Sequence, residues 1–308
     1  MQSFLKSIAE NLSAKIKTGN FKKIKLVVSI LIVFLTVFLF YRYLSNHREV
    51  INQLSKLTVL FVIKILLLYI VVLGLLIYIL KSSLEIVDIR LTLLENLLIN
   101  CYSFMVNFFM FGQGGPGLRA VYLKSKYNLK IKKFFYLTII YYFYYFLISF
   151  SFIVLMWFNN GYAYIIAILA LLVVLYLPTL KTNRFINLTN HFKSSSKLFL
   201  FTLLQLVVQT IIFGLELGLI SKVNFNQILS YSGFANLSLF ASITPAGIGI
   251  RESVLLLSKK ISHISSSTIV SASLIDRSIY LIFLLMVLIF LLFFHSSSII
   301  KKLKNIKN

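Results

Sequence analysis

The chain has 308 residues, 59% of them apolar, and a mean hydropathy of +0.92, far above what a soluble domain can hide in one core. A soluble fold is excluded, and the short loops between apolar runs leave no room for a separate soluble domain. The net charge of +23 does not indicate a nucleic-acid partner, because the lysines sit beside apolar runs rather than along a soluble basic face; they read as topology signals.

Residues 1–23 form a basic segment in which Phe4, Leu5, Ile8, Leu12 and Ile16 fall near helical spacing. It suits either an amphipathic helix on the cytoplasmic leaflet or a plain basic flank. The first apolar run, 24–44, lacks a small-residue cleavage site and is expected to be retained as a helix. Further runs at 57–80, 134–157, 161–180, 198–220 and 267–294 also reach the ~20 residues that cross ~30 Å of hydrocarbon. Two weaker stretches, 91–111 and 225–243, carry Glu95, Asn96, Asn100 and Asn107 in one and Asn226, Asn236 and several serines in the other. Residues 295–308 are a basic tail.

The lysine distribution orients these runs. Lysines before Leu26 place the amino terminus in the cytoplasm. If 91–111 crossed fully, Lys124, Lys126, Lys130, Lys132 and Lys133 would lie outside, against the positive-inside tendency. A re-entrant hairpin over 91–118 keeps them inside. The same reasoning puts the turn at Asn159 and Asn160 outside, Lys181, Arg184, Lys193 and Lys197 inside, and a second hairpin over 225–262 entering from outside. Both termini are then cytoplasmic.

Both hairpins run into related motifs, Gly115-Pro116-Gly117-Leu118-Arg119 and Gly247-Ile248-Gly249-Ile250-Arg251, each with a leucine four residues on. Their offset of 132 residues (from 115 to 247) also carries the apolar runs of 24–157 onto those of 161–294. Each half then has three crossings and one hairpin, and an odd number of crossings inverts the second half. The predicted fold is an all-α polytopic membrane protein: six full transmembrane helices plus two re-entrant hairpins in an inverted repeat, functionally one membrane domain. Paired broken helices in such repeats mark a binding site near the midplane.

Glycines let a hairpin tip turn tightly and bring backbone close to a ligand, while Pro116 and Pro245 interrupt the helical ladder. Freed amides at a helix start attract anions, and Arg119 and Arg251 add permanent charges able to grip phosphate in two-point fashion. The alternative is that both arginines cap the hairpins or snorkel. Glu252 suits pairing with Arg251 or Arg277, or orienting an amine. Asp276 and Arg277, adjacent in an apolar helix, point to different faces and are expected to pair with other helices. Glu216 suits proton coupling or simple exposure near the outer end of its helix, and Lys64 is expected to snorkel outward. Tyr141-Tyr142-Phe143-Tyr144-Tyr145 reads as an aromatic belt or helix packing. The lone Cys101 has no disulfide or metal partner, and His47, His191, His263 and His295 read as loop residues without metal spacing. No cofactor, metal site, nucleotide loop or nucleophile elbow is expected.

Thr244-Pro245-Ala246-Gly247-Ile248-Gly249-Ile250-Arg251-Glu252, followed by Arg277 in an apolar helix, resembles the signature of the flippase-like family, which includes the transmembrane region of lysylphosphatidylglycerol synthases and related stand-alone proteins. The first motif is similar to that family's upstream Pro/Gly-Arg element, with Leu118 where many members place a glutamate. The resemblance implies movement of an anionic lipid or lipid-linked headgroup across the cytoplasmic membrane, without enzymatic activity. Lipid-modifying or glycan-assembly enzymes are the implied partners. Three competitors stand beside it: a carrier of a small anionic solute, an enzyme acting on a lipid phosphate through Glu252, Ser253 or Asp276, and a non-catalytic assembly partner.

Overall fold

The computed structural model describes residues 57–109, 114–157, 188–241 and 250–306. The expected crossings at 24–44 and 161–180, the segment 1–23, the turn at Asn159 and Asn160, Lys181, Arg184, His47, and Pro245, Gly247 and Gly249 of the second motif lie outside them. Every described element is a helix. In chain order these are α1 (Val59–Glu85), α2 (Leu93–Phe109), α3 (Gly114–Tyr127), α4 (Ile131–Trp157), α5 (Leu188–Ile220), α6 (Phe225–Ala241), α7 (Ile250–Leu257), α8 (Lys259–Ser262) and α9 (Ser266–Ile306).

Four of these helices contain apolar stretches of 25 to 29 residues, at Val59–Glu85, Ile131–Leu155, Lys193–Ile220 and Ser266–Phe294. At 1.5 Å per residue each exceeds ~30 Å, so the chain is a multi-pass helical membrane protein. Their sidedness follows the sequence. On α1, Leu60, Ile63, Leu67 and Val71 are exposed, while Ile65, Val72, Leu76 and Ile79 are buried. An exposed leucine surface of this extent is stable against lipid, not water. Lys64 lies exposed on the outer face, as snorkelling requires. Thr58 caps α1 by accepting from the Phe61 amide at 3.2 Å. Asp88, Asn128 and His263 adopt positive φ at the ends of α1, α3 and α8, where a left-handed residue turns the chain out of a helix.

Helix α5 packs against α1, α4, α6 and α9 and is the centre of the bundle. It starts ten residues before the apolar run, since Leu188 precedes 198, and α9 continues past 294 to Ile306. Lysine extends a helix about as readily as leucine, and serine, threonine, asparagine and histidine cost less than about 1 kcal/mol each, so hydropathy alone underestimates both lengths. His191 and His295 therefore stand in helices rather than loops, and His263 ends α8 in a turn.

The 132-residue offset recurs in these boundaries. Adding it to 93–109 gives 225–241, the bounds of α6, and adding it to α1 and α4 gives 191–217 and 263–289, within α5 and overlapping α9. The packing partners exchange in the same way. Contacts α2–α3, α1–α2, α3–α4 and α2–α9 have as counterparts α6–α7, α5–α6, α7–α9 and α6–α4.

The α4–α6 contact depends on a glycine. A Cβ on Gly233 would lie 2.6 Å from Ile153 Cγ1 and 2.8 Å from the Ser149 carbonyl oxygen, and backbone cannot yield as a side-chain tip can. Gly233→Ala is expected to force α4 and α6 apart at a cost of about 1–3 kcal/mol. Chemical unfolding in detergent checks this, and an unchanged stability would show that the helices slide freely.

Candidate functional site

The first centre is built on a polar stripe of α2. Asn96, Asn100, Ser103 and Asn107 follow i, i+4, i+7, i+11 spacing and share one helix face. Asn107 Oδ1 accepts from the Gly115 amide at 2.6 Å, and a Cβ on Gly115 would sit 2.6 Å from that same oxygen. Glycine there permits the close approach that joins α2 to the start of α3. Pro116 occupies the first turn of α3, where an amide hydrogen has no intrahelical acceptor to lose. One turn on, Arg119 Nη2 donates to Asn100 Oδ1 at 2.8 Å and Nε to Ser103 Oγ at 3.0 Å. Asn100 is fixed in turn by Asn96, at 2.8 Å to both its carbonyl and its side-chain oxygen, and Asn96 donates to the Ile77 carbonyl of α1 at 2.8 Å.

All hydrogen-bond acceptors of Arg119 are neutral. No carboxylate pairs with it among the described residues, and its nearest electrostatic neighbours are Tyr141 and Tyr142 of α4. Tyr141 donates to Gln205 at 3.1 Å, and Tyr145 lies within hydrogen-bond distance of Gln209 (3.3 Å) and Asn236 (3.1 Å). Tyr144 and Tyr145 are 0% and 3% exposed. The tyrosine run thus belongs to helix packing and to a polar interior seam, not to an interfacial belt.

The second centre has the opposite electrostatic character. Arg251 Nη2 lies 2.6 Å from Asp276 Oδ2, whose Oδ1 accepts from the Tyr69 hydroxyl at 2.5 Å. The guanidinium sits 5.7 Å from the centre of the Phe213 ring, within cation–π range. Next to it, Arg277 Nε lies 2.7 Å from Glu252 Oε1, which also accepts from Ser273 at 3.2 Å. Neighbours on α7 therefore pair with neighbours on α9, and the expected pairing of Asp276 and Arg277 with another helix is observed. Glu252 takes Arg277. Pro245, Gly247 and Gly249 precede the described part of α7.

Glu216 is fully buried on α5, and exposure at a helix end is overturned. Its position near the end of the apolar run suggested an edge, but Glu216 lies on the face of α5 turned to the other helices, while Leu204, Val207, Ile211 and Leu215 line the exposed face. Neither carboxyl oxygen has a hydrogen-bond partner, and Arg251 Nε and the Tyr231 hydroxyl are likewise buried without one. Glu216 interacts electrostatically with Asp276 and Arg251. Sequence reasoning missed Tyr69, Tyr231 and the α4–α5 seam; the stripe spacing on α2 was the one available signal for Asn96, Asn100 and Ser103.

A third cluster pins α2 to α3 outside the long spans. Glu95 accepts from Lys126 at 2.8 Å, from Tyr127 at 2.8 Å and from Tyr122. Burial works to raise the Glu95 carboxyl, but the bonds from Lys126, Tyr122 and Tyr127 outweigh it and hold it below its ordinary 4.5. A lowered folded-state value means the cluster stabilises the protein above pH 4.5, and this is lost as pH falls through the lowered value. Stability measured against pH is expected to fall on that acid limb, and Glu95→Gln should flatten it. An acid limb unchanged in the variant would place the titration elsewhere.

Among the described residues, no group of three or more His, Cys, Asp and Glu residues could hold a metal ion. No curated protein matches the chain. The family model of the lysylphosphatidylglycerol synthase TM region matches residues 24–288. With the Arg119 and Arg251 centres and most of its length inside that match, this membrane protein belongs to the lysylphosphatidylglycerol synthase TM region family.

Proposed function

We propose that the chain carries an anionic lipid or lipid-linked headgroup between the leaflets of the cytoplasmic membrane. The observation that carries this reading is Arg119, a half-buried guanidinium one turn into a glycine-led helix, held by neutral groups alone. A cation fixed in place without a counter-charge is a ready partner for a phosphate. Family membership makes a lipid the first candidate to bear it. Arg251, already paired with Asp276, shapes the second centre and meets the headgroup as a secondary contact together with Glu252 and Arg277. Gly115, Pro116 and Gly117 open α3 at the end of the first hairpin and bring its backbone amides towards the headgroup.

In this reading α2–α3 and α6–α7 are re-entrant hairpins of an inverted repeat, supported by the shared 132-residue offset and the exchange of packing partners. The chain is a carrier rather than an enzyme, with lipid-modifying or glycan-assembly enzymes as partners. Both termini face the cytoplasm. Cysteine introduced at Lys126 should escape an impermeant reagent in intact cells, and labelling there would sink the hairpin topology. Translocation of labelled lipids differing in headgroup, measured in reconstituted vesicles, tests the function. Equal rates with protein and with empty vesicles for every anionic headgroup would remove it, and transport of a free anion alone would favour the solute carrier.

A further inference from the structure

Among the described residues, the second centre contains one carboxyl group more than its cations neutralise. Arg251 pairs with Asp276 and Arg277 with Glu252, leaving Glu216 over. Its side chain is fully buried and both oxygens lack any hydrogen bond. Buried polar groups in native proteins are almost always satisfied, so an orphan carboxyl calls for a ligand or a protonation change. An ionised carboxylate without bonds in an apolar interior is very costly, whereas the neutral acid is tolerated.

The groups facing Glu216 define what it can bind. Asp276 from α9 is negative, and Arg251 from α7 is positive. Tyr69 of α1 and Tyr231 of α6 are neutral hydroxyls within electrostatic range. Tyr145 of α4 feels the charge of Arg251, and Tyr280 of α9 the charges of Asp276 and Arg251. A metal cation would meet Arg251 and only one unshared carboxylate, so a proton is the cation that fits. Arg251 also keeps a buried Nε donor without a partner, and Asp276 keeps the Tyr69 hydroxyl if the guanidinium leaves it.

We propose that Glu216 is a proton-binding site, whose uptake and release of one proton follows the choice of Arg251 between Asp276 and Glu216. With Arg251 on Asp276, the proton sits on Glu216 as a neutral acid and the centre carries no net charge. When Arg251 turns to Glu216, the O–H bond breaks, the proton leaves toward solvent, and the carboxylate gains the guanidinium as its counter-charge. The site rests on the lipid-carrier reading only for its coupling to transport. It supplies that carrier with a means of drawing on a proton gradient.

Infrared spectroscopy of the full chain in lipid nanodiscs tests the site without any transport assay. Near neutral pH the protein should show a protonated-carboxyl C=O band that shifts when glutamate is carboxyl-labelled with 13C and vanishes in Glu216→Gln. If the variant fails to fold, absence of the shifted band in the labelled wild type still overturns the proposal. Absence of a protonated glutamate band near neutral pH overturns the proposal, as does a band that survives in folded Glu216→Gln. In vesicles, a pH difference should change lipid translocation by the wild type and not by Glu216→Gln. Vesicles that move no lipid at all would count against the carrier reading while the infrared band still decides the proton site.

Discussion

Arg251→Ala is expected to destabilise the protein by about 3–5 kcal/mol, because it leaves Asp276 as an uncompensated charge in the interior. Asp276 is 3% exposed and would keep only the Tyr69 hydroxyl. Asp276→Ala should cost a similar amount by stranding the guanidinium against Phe213 and the unpartnered Tyr231. The double replacement, Arg251→Met with Asp276→Leu, should recover much of the loss, since an apolar pair of similar volume removes both desolvation costs. Unfolding free energies measured in detergent for the two single variants and the double variant form the required cycle. If Arg251→Ala loses less than about 1 kcal/mol, in the range of an exposed pair, the Arg251–Asp276 bridge is not a buried constraint.

Arg119→Ala should have a different profile, with a smaller effect on stability than Arg251→Ala and a large one on transport. Its acceptors, Asn100 and Ser103, are neutral, so no buried charge is stranded, and each lost hydrogen bond, worth about 1.5–3 kcal/mol to a charged donor, is offset by water entering this half-buried site. A phosphate that has lost its counter-charge in a desolvated site costs about 2–5 kcal/mol, which is a fall in apparent affinity of more than tenfold. Arg119→Lys keeps the charge, yet ammonium cannot donate from Nε and Nη2 to two fixed oxygens while presenting a further donor to a ligand. Transport by the lysine variant should therefore lie between wild type and alanine. Lipid translocation in reconstituted vesicles, compared with unfolding of the same preparations, separates the two effects. Normal translocation by folded Arg119→Ala would return Arg119 to a purely structural role in joining α2 to α3.

The contrast between the two arginines limits how far their shared motif can be read. Both follow a Gly-x-Gly sequence and lie 132 residues apart, yet Arg119 meets an amide and a hydroxyl while Arg251 meets a carboxylate. The same offset carries Tyr144 onto Asp276 and Asn100 onto Ser232. Helix boundaries recur at this offset while the polar side chains they carry differ, so Arg119 meets neutral groups and Arg251 a carboxylate.

The sequence alone determined the membrane setting and the helices at described positions. Long apolar runs can satisfy their backbone in lipid only as helices. It also determined that Asp276 and Arg277 would look to different neighbours, because adjacent helical residues are about 100° apart. Only the tertiary structure decided which neighbours. Tyr69, Glu216, Arg251 and Asp276 come from four helices widely separated in sequence, and no local periodicity records that they meet. The burial of Glu216 was equally hidden, since a single carboxyl near the end of an apolar run reads the same whether it lies on the exposed face of its helix or, as here, on the face packed against other helices. Local pattern sets which face of a helix is apolar; the packing of several helices sets what each polar group on it must answer to.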